Sequence, residues 1–179
     1  MVAAMPWRPE LIVEEIPAPR KMAPYALALG ADVVRAGAEL GNGRLVLLHD
    51  PEGNPSWEGD FRCVAYVQAF VEYELAADPL LADVGWSWLI DALGREDACH
   101  RAPGGTVTAV SNKSFGMIGN DPPSWKVEIR ASWTPEVDEP GDIAGHLRAW
   151  SDLLCDAAGL PLLPAGVVPL VHRRSGWGR

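Results

Sequence analysis

The chain has 179 residues, 48% of them apolar and 22% charged, a balance that excludes wholesale disorder and fibrous architecture. Fifteen Lys and Arg against 24 Asp and Glu leave a net charge of −9, spread along the chain, which disfavours direct contact with nucleic-acid backbones and anionic membranes. Three distant cysteines, Cys63, Cys99 and Cys155, form no C-x-x-C pair and point to free thiols in a reducing, cytoplasmic setting.

Residues 1–24 read as extended chain. Prolines at positions 6, 9, 17, 19 and 24 oppose helix, and Leu11-Ile12-Val13 offers a short edge strand. Pro6, Arg8, Pro9 and Glu10 interrupt any signal-peptide core, and no apolar run reaches the ~18 residues of a membrane span. Tyr25 to Val34 alternates as a strand, with Gly30 read as a bulge. Gly41-Asn42-Gly43 is a turn signal, and Arg44 to His49 a buried strand. Asp50 to Asp60, with Pro51, Gly53, Pro55 and Gly59, reads as a long polar loop. Phe61 to Val71 is apolar on both faces, as a central strand should be.

Asp78-Pro79 resembles an N-cap followed by proline in the first helical position. The helix after it carries Leu80, Val84, Trp88 and Ala92 as its expected buried stripe, with Leu81, Leu89 and Leu93 alongside. Gly94 ends it. Thr106 to Ser111 is a strand, and Asn112 to Trp125 a loop. Lys126 to Trp133 alternates, with Val127, Ile129, Ala131 and Trp133 inward. Asp142 starts a second helix with the stripe Ile143, Leu147, Trp150, Leu154 and Ala158, closed by Gly159 and Pro161. Residues 160–179 read as an extended tail. The order β-β-β-β-α-β-β-α predicts a single α+β domain over 1–179: an antiparallel sheet of about five to six strands with two helices on one face. The other face is then polar, or covered by the N-terminal segment or a second subunit.

Eight tryptophans outnumber the three Phe and three Tyr together. Trp88, Trp133 and Trp150 fall on inward stripes. Trp86 lies about 160° round its helix from Trp88, so it faces either a second buried side or a partner. With Trp57 in the polar loop, it marks a candidate contact surface. His49, Asp50, Glu58 and Asp60, with Glu52 between them, bracket that loop and form a candidate binding or metal loop, since hard cations take oxygen ligands. Their spacing matches no calcium or zinc pattern, and a solvated turn is the alternative. Cys63 reads as a small buried hydrophobe, Cys99-His100 as a surface turn, and His146 as a partner for the Asp142 cap four residues earlier. The phosphate-loop, dinucleotide, nucleophile-elbow and H-E-x-x-H patterns are missing, so no catalytic residue, metal ligand or cofactor is assigned.

The segments MPWRPELIVEEIPAPRKMAPYALALGADV, GRLVLLHDPEGNPSWEGDFRCVAYV, DPLLADVGWSWLIDAL, VEIRASWTP and HLRAWSDLLCDAAGLPLLPAGVVPL resemble the actinobacterial "domain of unknown function three thousand" family over nearly the whole chain. The resemblance implies a high-GC Gram-positive source, a cytoplasmic protein and a link to RNA metabolism. It brings no activity, cofactor or site residue. The leading expectation is a non-enzymatic interaction or assembly module with a protein partner or a second copy of itself. Two alternatives stand beside it. One is an enzyme or metal-dependent binder at the His49–Asp60 loop. The other is an RNA-associated protein using Arg173, Arg174 and Arg179 with Trp177.

Overall fold

The computed structural model describes residues 5–139 and 141–161. Strands β1 (Leu11–Ile16), β2 (Tyr25–Arg35), β3 (Ala38–Asn54), β4 (Gly59–Val71), β5 (His100–Asn112) and β6 (Ser124–Pro135) form one sheet in the order β1-β2-β3-β4-β6-β5. Every neighbouring pair is antiparallel. The first four strands are a meander. The chain then leaves the sheet through α1 (Tyr73–Ala76) and α2 (Leu81–Arg95) and returns at the far edge as β5. Strand β6 fills the gap between β4 and β5. Those two strands are therefore parallel to each other, and β4-α2-β5 is a split βαβ crossover. Helix α3 (Ile143–Ala157) follows β6. The α+β class and the element order expected from the sequence are both found, with the short α1 as an addition.

Alternation decides which face is buried. Val127, Ile129, Ala131 and Trp133 of β6 are buried, and their register partners Ala69, Val67, Ala65 and Cys63 of β4 are buried with them. On β3 the same row positions hold Gly41, Gly43, Leu45 and Leu47. This common face takes the helices: α3 over β3, β4 and β6, and α2 over β5 and β6. Gly43 sets how closely α3 can approach, because a Cβ there would lie 2.7 Å from Leu154 Cδ2. Gly85 does the same for α2, where a Cβ would meet Val107 Cγ1 at 2.9 Å. Eleven of the fifteen residues of α3 are buried against five in α2, which makes α3 the central helix. The N-terminal segment also packs against α3: Trp7 meets Trp150 edge-on at 6.4 Å, and Arg8 Nη1 donates to the Pro161 carbonyl at 2.8 Å. Trp133 and Trp150 are fully buried. Truncating either to Ala should cost about 3–5 kcal/mol.

Several sequence expectations are corrected. The expected loop Asp50–Asp60 is mostly strand, since the ladder resumes at Asn54 opposite Gly59 and only 55–58 remain as the turn. Strand β2 runs through Gly30 unbroken; its irregularity falls between Val33 and Val34. Asp78 does not cap α2. Its carboxylate accepts from the Leu80 N–H at 2.8 Å in a turn that precedes the helix. The buried stripe of α2 is Leu81, Gly85, Leu89, Ala92 and Leu93, while Leu80 is 60% and Val84 39% exposed. Asp142 turns its carboxylate back to the N–H groups of Asp138 and Glu139, at 2.9 Å each, rather than into the first turn of α3. His146 does not bond that cap; it accepts a hydrogen bond from Trp133. The expected tail beyond residue 161 lies outside the described residues. No helix among the described residues is long and apolar enough to cross a membrane.

Candidate functional site on the open sheet face

The side chains that alternate away from the helices line up in rows across four strands. Arg44 of β3 stands opposite Tyr66 of β4, Tyr66 opposite Arg130 of β6, and Arg130 opposite Thr106 of β5. The adjacent row is Val46, Val64, Ser132 and Gly104. At ordinary strand spacing each row is about 14 Å long, and the rows lie about 7 Å apart. Together they line a groove of about 840 Å³, roughly twice the polar depression of about 400 Å³ that His146 and Arg148 help to line. Gly104 lowers its β5 wall, since a Cβ there would meet nothing within 4 Å. Volume and mixed lining fall within the range of binding clefts.

The electrostatics run against the chain as a whole. The groove lining holds two guanidiniums, Arg44 and Arg130, and no carboxylate. Arg130 lies over the Tyr66 ring at 5.3 Å and pairs with Glu128 at 2.8 Å from outside the lining. Among the described residues Arg44 has no ion pair. Arg62, one row further along β4, donates to Ser132 Oγ at 2.7 Å, Thr134 Oγ1 at 3.0 Å and the Ala102 carbonyl at 3.1 Å. All three acceptors are neutral. Burial pulls the Arg62 guanidinium below its usual range, although an arginine remains charged at any physiological pH. Burial first, and then the Glu128 carboxylate, push the Tyr66 phenol upward, so it stays a neutral hydrogen-bonding group whose hydroxyl reaches Gln68 Oε1 at 3.2 Å.

The residues singled out from the sequence lie elsewhere. His49 stacks on Phe61 with centroids 4.2 Å apart and planes 6° from parallel, and Tyr25 flanks it at 5.8 Å. Asp50 accepts from the Glu52 N–H at 3.2 Å. Glu58 sits in the hairpin turn at φ +61°, its carbonyl taking a hydrogen bond from Arg101 Nη1 at 3.3 Å. Asp60 is exposed at the start of β4. Among the described residues no group of three or more His, Cys, Asp and Glu gathers closely enough to hold a metal ion. Trp57 is half-buried in the same turn, and its carbonyl accepts from the Thr134 hydroxyl. Trp86 is half-buried against the core, its ring resting where Gly105 has no side chain.

A family model described as "Protein of unknown function (DUF3000)" matches residues 1–168. The chain belongs to the DUF3000 family. No curated protein and no solved structure matches it. Membership gives this DUF3000 chain no activity to transfer, so its site has to be read from geometry alone. The groove residues did leave a signal in the sequence. Tyr66 and Arg130 sit on the outward phase of the two most regular strands, whereas Arg44 lies inside β3, which runs unbroken through the Gly41-Asn42-Gly43 segment expected to be a turn.

Proposed function

We propose that this DUF3000 protein is a non-enzymatic interaction module that receives a partner protein across the open face of its sheet. The row Arg44–Tyr66–Arg130 carries the reading. Arg and Tyr are the side chains that most often anchor protein interfaces, because each combines a large flat contact area with directional hydrogen bonds. Here they border half-buried Val46 and Val64, which supply apolar area, and Thr106 and Ser132, which supply hydroxyls. The edge strand β5 beside them is largely exposed and, among the described residues, pairs on one side only, with β6. Three free cysteines fit a reducing, cytoplasmic setting.

The test is to replace Tyr66 with a photo-cross-linking amino acid, and separately the exposed Asp91 of α2, and to irradiate native-host cells. The reading expects a discrete adduct from position 66 and none from position 91. The adduct mass separates a second copy from a different protein. Equal labelling at both positions, or no adduct at position 66, overturns it.

A further inference from the structure

Resting on that reading, we infer that the groove selects an acidic, extended polypeptide segment. Charge complementarity carries the inference. In a chain of net −9, the groove lining holds no carboxylate: Arg44 has no ion pair among the described residues, Arg130 is paired from outside the lining with Glu128 alone, and Arg62 behind Ser132 hydrogen-bonds only to neutral acceptors. Two guanidiniums on a lining with no carboxylate raise the local potential, and an arriving carboxylate can take charge-assisted hydrogen bonds from them. Arg44 and Arg130 stand two strand spacings apart, about 10 Å. An extended peptide presents every second side chain to the same side at about 7 Å intervals, within reach of two flexible arginines. The site is bounded. Beyond Arg44, Glu14 and Asp32 of the outer strands line the next depression and would repel an acidic chain that ran further. That boundary favours a short segment over a long polyanion. A nucleic acid would continue onto acidic surface, and it would find one aromatic ring in the groove, Tyr66, already covered by Arg130.

Four labelled probes test this by fluorescence anisotropy with the whole chain: peptides of about ten residues alternating Glu, Lys or Ser with Val, and an oligouridylate of similar length. The inference expects the Glu peptide to bind at least about tenfold tighter than the Ser peptide at low salt, with the advantage shrinking as salt rises. It also expects the Lys peptide to bind weakest, and the double variant Arg44→Glu, Arg130→Glu to lose the Glu preference. Both arginines are exposed, so the variant's fold can be checked by circular dichroism and melting. Gly104→Trp serves as an independent groove-filling variant, since the backbone there accepts a side chain. If Glu and Ser peptides bind equally and Gly104→Trp blocks both, the charge inference is overturned while the groove reading stands. If Gly104→Trp affects no probe, both fall. If the oligouridylate binds as tightly as the Glu peptide, the assignment to a polypeptide is overturned.

Discussion

Trp133 and His146 form a hydrogen-bonded polar pair inside the core. The indole Nε1 donates to His146 Nδ1 at 3.0 Å, with both side chains buried. Burial, and then the neighbouring His100, pull the His146 imidazole down to about 4 from 6.5, against a small opposing pull from Asp142. The folded protein therefore keeps it neutral, while the unfolded chain binds a proton below about pH 6.5. The stability from this site is full above that pH and is lost as pH falls toward 4, amounting to about 3 kcal/mol at the limit. Urea unfolding should show wild type losing more stability than His146→Gln between pH 7 and 4.5. Parallel losses would contradict the assignment. His146→Leu strands the Trp133 N–H and should cost about 1–3 kcal/mol at pH 7, read from the same unfolding curves. This contact was not legible in the sequence. Asp142 and His146 are four apart on one helix, so local spacing suggested a pair, whereas the real partner comes from β6 across the core. The burial of Cys63 and the exposure of Cys99 were legible, and the burial of Cys155 was not. Cys63 and Cys155 are buried, desolvation pushing Cys155 up to about 12 and Cys63 higher still, and Cys99 is exposed. A thiol reagent should label Cys99 alone in the native state, and mass spectrometry showing modified Cys63 or Cys155 would refute that.

At the level of elements, two glycines should respond in opposite directions. Gly43 faces α3, where a Cβ would lie 2.7 Å from Leu154 Cδ2 and 2.8 Å from the Tyr66 carbonyl oxygen. Gly43→Val should destabilise by about 1–3 kcal/mol through overpacking. Gly94 lies in the last turn of α2 with nothing within 4 Å of a new Cβ. Gly94→Ala should stabilise by about 0.5–1 kcal/mol, because Ala loses less backbone freedom in a helix. Thermal melts of the two variants should move apart, and a shift in the same direction for both would refute the packing description. The same helix shows why its phase was misread. Leu80, Val84, Trp86, Trp88 and Ile90 make α2 apolar nearly all round, and the residue that fixes its orientation, Gly85, has no side chain to enter a hydrophobic pattern. β6 was read correctly because a strict period of two with charges on the other phase leaves one solution. The β3–β4 turn was overextended because Pro51 and Gly53 signal loops locally, while pairing with β4 holds the strand to Asn54.

For the whole molecule, counting two helices against five to six strands left the second sheet face either polar or covered by the N-terminal segment or a second subunit, and did not reveal the groove. It depends on β5 crossing to the far side of β6, which brings Gly104 and Thr106 alongside residues more than thirty positions earlier in the chain. No local pattern encodes that order; it comes from the split crossover. The His49–Asp60 hairpin, Trp57 and Trp86 lie outside the row that topology assembles. The most direct measurement is a nitrogen-15 NMR titration of the whole chain with the Glu and Ser peptides in turn, following backbone amides and arginine Nε–H signals. The largest shifts are predicted at Arg44, Tyr66, Thr106 and Arg130, with little change along α2 and α3. Largest shifts at His49, Asp50, Glu58 and Asp60, or on the helices, or no shift with either peptide, would contradict the account.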